Sequence, residues 1–140
     1  MAHYLELGIS DAPFLADVDL TTCQYRFIMP ASTAGYVTGA TGASNPAPLG
    51  VIQNSPSQGQ EARVRVLGFS KVVAVAPSGC GLAYGRYFSV STVGQAVPTA
   101  SETGGPIYGR WLDSNLAVST SMIGMVLLMG AFGTCPVSAS

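Results

Sequence analysis

The chain has 140 residues and a formal net charge of −1, with only 9% Asp, Glu, Lys and Arg against 48% apolar residues; a soluble globular domain usually carries about 25% charged residues. That length fits a single domain, and six scattered cations form no basic patch of the kind that phosphate-driven nucleic-acid binding requires. The 17 glycines and 9 prolines punctuate the chain but stay below the roughly 25–30% typical of disordered sequences.

In chain order, Met1-Ala2-His3-Tyr4-Leu5-Glu6 has no basic region leading into an apolar stretch, so no secretory signal is expected. Breakers recur every eight to twelve residues or so, the spacing of many short strands. Residues 24–29 read as the first strand, and residues 30–48, dense in Gly, Ser, Thr, Ala and Asn, as a loop. A strand at 49–53 and a turn at 55–59 follow. At 61–67, Ala62, Val64 and Val66 face one way while Arg63 and Arg65 face the other, the period-2 pattern of a half-buried strand. Gly68 then predicts a bulge or a sharp bend before a second strand at 69–75.

Residues 77–81 and 101–106 are further loops, with strands expected at 87–93 and 108–112. Residues 122–132 are apolar on both faces, which predicts a central core strand or a strand pair bent at glycine. Gly124 and Gly130 argue against a helix there, since two internal glycines cost a helix about 2 kcal/mol relative to alanine, and eleven residues fall short of the about 20 that span a membrane. No segment repeats apolar positions at i, i+3, i+4 and i+7. The expected fold is all-β: a small single-domain barrel or sandwich with long Gly/Ser/Pro-rich loops.

The residues that could carry chemistry are few. His3 is the only histidine, so a Ser-His-Asp or Cys-His site would hang on a chain end prone to fraying. Cys23, Cys80 and Cys135 are widely spaced without a CxxC pair, which predicts reduced, largely buried thiols and no metal site. Asp17-Val18-Asp19 lacks the loop and following glutamate of a calcium site and reads as a solvated turn. Gly79-x-Gly81-x-x-x-Gly85 misses the dinucleotide-binding spacing by one residue, and the glycines of 35–42 lack the Lys-Ser/Thr of a phosphate loop. No catalytic residue and no cofactor are expected.

Arg63 and Arg65 could grip a carboxylate-bearing partner, or simply form a polar outer face. Trp111, between Arg110 and Leu112, is core or an interface anchor. The shortage of charge is the main functional clue. A surface of Ala, Ser, Thr, Gly and Tyr suits permanent contact with copies of the same chain or with another protein, because charged groups would have to be desolvated there.

The central segment Pro48-Leu49-Gly50-Val51-Ile52-Gln53-Asn54, then Gly59-Gln60-Glu61-Ala62-Arg63-Val64-Arg65-Val66-Leu67-Gly68 and Ser70-Lys71-Val72-Val73, resembles the capsid-cement (head decoration) family of tailed bacteriophages. Gln24-Tyr25-Arg26-Phe27, Gly35-Tyr36-Val37 and Gly105-Pro106-Ile107-Tyr108-Gly109-Arg110 extend the likeness over roughly residues 15–130. The resemblance implies a β-rich virion protein on the outer surface of the capsid, usually a homotrimer, whose partner is the major capsid protein; it brings no catalytic residues. The chain is expected to divide into an N-terminal arm at 1–14, a β-rich decoration domain at 15–132 and a C-terminal tail at 133–140 that lies outside the resemblance. His3, Tyr4, Leu5, Arg63, Arg65, Tyr84, Tyr87, Arg110 and Trp111 are the candidate interface residues. The competing reading is a carbohydrate- or cell-surface-binding module that exposes Tyr84, Tyr87, Tyr108 and Trp111.

Overall fold

Residues 61–74 form one strand rather than two, and four other strands pair with it. The structure, a computed structural model, describes residues 9–39, 48–76, 81–91, 93–98, 107–114 and 121–129. In chain order the strands are β1 (Ile9–Ala16), β2 (Phe27–Pro30), β3 (Tyr36–Gly39), β4 (Gly50–Ile52), β5 (Glu61–Ala74), β6 (Tyr87–Val90), β7 (Ala96–Pro98), β8 (Gly109–Trp111) and β9 (Met122–Leu128), with no helix among the described residues. The all-β class expected from the breaker spacing is the class observed.

The strands pair in the order β1-β3-β2-β4-β5-β7-β6-β8-β9, and additional β1–β5 and β5–β9 pairings close this sheet twice. One ring runs β1-β3-β2-β4-β5 and the other β5-β7-β6-β8-β9. Because β5 belongs to both, the two rings share a wall and make one domain. Closing the sheet also covers strand edges that would otherwise be left open to pairing with other chains.

Each ring has its own core. Ala16, Leu20, Ile28, Val37, Ile52, Ala62 and Val64 fill the first, with Phe14, Cys23, Leu49 and Val66 packed against it. The second is larger and includes Val72, Ala74, Leu82, Phe88, Trp111, Val126 and Leu128, together with Phe27 and Val51. Neighbouring residues on β2 and β4 thus enter opposite cores: Phe27 and Val51 the second, Ile28 and Ile52 the first. This partition explains why 49–52 is apolar at successive positions, as strands buried on both faces are. Phe27 meets Phe88 and Tyr108 with ring centroids 5.8 and 6.2 Å apart at tilted angles, a favourable arrangement for aromatic quadrupoles.

β5 changes partners at Gly68. Arg65 pairs with Asp11 on one edge and Val51 on the other, whereas Gly68 pairs with Ile9 and Leu128. The edge held by β4 therefore passes to β9, while the β1 edge passes to β7 at Ala74. Ser10 lies opposite Leu67 and Asp11 opposite Arg65, so Val66 is the extra residue of a β-bulge, and Gly68 has φ 97°. The predicted bulge is present, but the strand continues through it.

Three strands lay outside the sequence expectation: β1, β3 and β7. Residues 9–14, grouped with the N-terminal arm in the sequence reading, lie in β1 and pair with β5 from Gly68 to Ala62. Pro13 sits in that strand opposite Arg63, whose backbone N–H and C=O turn instead to Asn54 and Gln53 on the other edge; no β1–β5 hydrogen bond is lost to the missing proline donor. A second correction concerns the 122–132 segment, read as buried on both faces. In β9 only Gly124, Val126 and Leu128 are buried; Ile123 and Met125 face outward, and Met122, on the same face as Gly124, is exposed at the start of the strand. Residues 130–132, like 1–8 and the tail 133–140, lie outside the described residues.

Candidate functional site

Arg63 and Arg65 both project from the outer face of β5, as the alternation predicted, but they are not equivalent. Arg65 is directly opposite Asp11 on β1, and its Nε and Nη2 donate to the two carboxylate oxygens at 2.6 and 3.1 Å. Its Nη1 donates to the Phe69 carbonyl at 3.1 Å. This fork is committed within the chain, across the bulge, whereas Arg63 is exposed and makes no ion pair among the described residues. Arg65→Lys loses the two-pronged geometry; because the pair is solvent-accessible, the expected cost is about 0.2–1 kcal/mol, to be read from urea unfolding.

Tyr87 and Arg110 face one another across β6 and β8. The guanidinium carbon lies 4.7 Å from the Tyr87 ring centroid, and Nη2 donates to the Tyr87 hydroxyl at 2.9 Å. Tyr84 is 71% exposed in the adjoining turn, where Gly85 donates its N–H to the Trp111 carbonyl. Trp111 itself, expected as core or anchor, is core: it is 2% exposed and its Nε1 donates to the Ser114 carbonyl at 2.9 Å. Tyr108 is also buried. Tyr84 and Tyr87 therefore remain on the surface, while the other two aromatics of the carbohydrate-platform reading are taken into the second core. His3, Tyr4 and Leu5 lie outside the described residues.

Burial raises the Tyr108 phenol above its ordinary value near 10. Below pH 10 the phenol is protonated whether the chain is folded or not, so its contribution is fully present there. As pH rises further, the unfolded phenol ionises first and stability falls until the folded one titrates as well. We expect Tyr108→Phe to reduce the loss of urea stability between about pH 8 and about pH 11; an unchanged loss would place the effect elsewhere.

The outer face of β5 and β9 is the surface that sequence reading missed. Phe69, Lys71 and Val73 on β5 stand opposite Leu127, Met125 and Ile123 on β9. Phe69 is 51%, Ile123 56% and Met125 37% exposed. Tyr25 adjoins them from the turn before β2: its carbonyl accepts from Val73 N–H at 2.8 Å, and its ring lies 5.9 Å from the Lys71 ammonium. The alternation that could have revealed this face is hidden because both sets of β9 residues are apolar, so only a period-2 reading anchored on Gly124 separates them.

No group of three or more His, Cys, Asp or Glu side chains converges among the described residues. Cys23 is a free, half-buried thiol; Cys80 and Cys135 lie outside the described residues. Asp17-Val18-Asp19 forms the expected turn, with Asp19 Oδ1 accepting from Thr21 N–H at 3.1 Å.

The class these features define is an all-β protein of two strand rings sharing a central strand, with tyrosine-bearing and apolar outer faces. Protein-family models and curated proteins give no match to the chain. Among solved structures, the head fiber gp8.5 N base of bacteriophage phi29 is similar in fold, with a TM-score of 0.58 and 16% sequence identity over 86% of this chain and 93% of that one.

Proposed function

We propose that this chain is a non-enzymatic structural protein of a phage head, seated on the outer surface of the capsid, where it cements contacts between major capsid subunits. The observation that carries this reading is the likeness of fold, over nearly the whole of both chains, to a phage head fiber base. The short glycine-punctuated motifs of 48–73 and the low charge point the same way. In this reading the chain works as a homotrimer, and many modest interfaces, each touching more than one shell subunit, add up to a barrier against rupture through multivalency.

Nothing in that mechanism calls for bond chemistry; it calls for a rigid body with outward faces suited to protein contact. The doubly closed sheet supplies the rigidity, since β5, the shared wall, is paired with neighbouring strands on both edges. The test is to heat purified heads of the source phage with and without the protein. Heads lacking it are expected to release their DNA at lower temperature, and adding the purified chain back should restore the higher value. Equal rupture temperatures would overturn the cementing role.

A further inference from the structure

The geometry points to the outer face of β5 and β9 around Lys71 as the docking surface of this chain, its occupant being a shell-protein surface that is apolar and presents a carboxylate to the Lys71 ammonium. This inference rests on the function proposed above and adds the face and the chemistry of the contact.

Four observations converge on this face. Phe69, Ile123 and Met125 are large apolar side chains exposed side by side on paired strands, and contiguous apolar surface of this kind commonly marks an interaction site. Lys71 stands directly opposite Met125 in their midst, and the ion pair among the described residues belongs to Arg65 and Asp11. Asp113, which lines the same hollow, accepts from the Ser114 and Met125 N–H groups at 2.8 and 3.2 Å and forms no ion pair with Lys71. The cation therefore waits for an anion on a surface whose other parts favour apolar contact.

The third observation is backbone strain. Tyr25 has φ 65°, a left-handed conformation that is uncommon for a non-glycine residue and rarer still for a bulky one. Its N–H donates to Ile52 and its carbonyl accepts from Val73, so the fold holds the ring beside Lys71 at a cost. Fourth, two adjoining hollows of about 280 and 330 Å³ share Tyr25, Lys71 and Met125 in their walls. They give a partner's side chains somewhere to insert on either side of the ammonium.

Charge complementarity selects the occupant. Lys71 lies near the middle of the apolar strip, so a second copy packed on it about a twofold axis would bring two ammonium groups together, a like-charge contact that works against association. A different surface carrying a carboxylate turns the same group into an attraction. Apolar anchors flanking one desolvated charge pair are also the pattern in which a few residues carry most of the binding.

The experiment measures sedimentation of the purified full chain with heads of its phage that lack it, beside the solution mass and unfolding midpoint of each variant. Phe69→Ser combined with Ile123→Ser is expected to weaken head binding by roughly tenfold or more, with solution mass and folding preserved because both side chains point outward. Lys71→Glu should weaken it comparably and Lys71→Arg should not. If the double variant fails to fold, the Lys71→Glu and Lys71→Arg pair still decides. Gln58→Glu, in the exposed turn before β5, should bind as the unmodified chain does. Variants that bind equally well overturn the inference while leaving the capsid role intact. A fall in the solution mass of the free variants overturns it too, because the face would then be covered by another copy of the chain. Failure of the unmodified chain to bind heads brings down the capsid reading and this surface together.

Discussion

Gly124→Ala is expected to destabilise the fold by about 1–3 kcal/mol, and Trp111→Ala by about 3–5 kcal/mol. Both effects come from one contact. A Cβ built on Gly124 overlaps the indole of Trp111 at Cη2, with Cζ2 and Cζ3 next nearest at 2.8 Å. The six-membered ring of the indole comes up against bare backbone because β9 carries hydrogen at 124 where its neighbours in the strand carry side chains. A methyl group there forces Trp111 off its place among Phe88, Val126 and Leu128 in the second core, and close-packed interiors resist such shifts.

The same contact predicts strong coupling. In a Trp111→Phe background the outer indole atoms are gone, so Gly124→Ala should cost much less there than in the unmodified chain. Trp111→Phe has its own cost, from lost packing and from the Ser114 carbonyl that loses its Nε1–H donor. Urea unfolding of both single variants and the double variant closes the cycle. A sum of the two single effects equal to the double effect would mean that Gly124 and Trp111 are not held against one another.

How much of this was legible in the sequence follows from where each segment's faces point. The 61–67 alternation could be read directly, because Ala62 and Val64 enter a core while Arg63 and Arg65 face water. β4 could be placed but not interpreted: Val51 and Ile52 enter different cores, so period-2 contrast vanishes and the run looks like any buried strand. β3 was hidden because only Val37 of its four residues is fully buried, and its neighbours are loop-forming Gly, Ser and Thr. β1 was hidden by Asp11 and Pro13, poor strand formers. Asp11 is there as the cross-strand partner of Arg65, a long-range reason that no local window contains.

The candidate surfaces followed the same logic. Exposed polar positions such as Arg63 and Arg110 were foreseeable, since charge in strands faces outward. Trp111 was undecidable because its placement depends on a glycine thirteen residues away. The apolar β5–β9 face was invisible, since composition marks Phe69, Ile123 and Met125 as core and only ring closure reveals which side of each strand is inside.

Gly68→Val should destabilise the chain by roughly 2–5 kcal/mol, adding the strain of a β-branched residue at positive φ to the crowding of a buried position. Gly68 has φ 97° and is buried at the point where β5 leaves one pair of neighbours for the next. Gly68→Ala should lie between, keeping the strain with less crowding. Because β5 supplies a wall to each ring, the loss should reach both cores at once. Trp111 emission reports the second core, and reactivity of Cys23, which packs against the first, reports the other once Cys80 and Cys135 are replaced by serine. In the Gly68→Val chain the two probes should shift to lower urea concentration together and remain coincident, as in a single cooperative transition. If the thiol became reactive while the indole stayed buried, the rings would be separate folding units, and the shared strand would join them without coupling them.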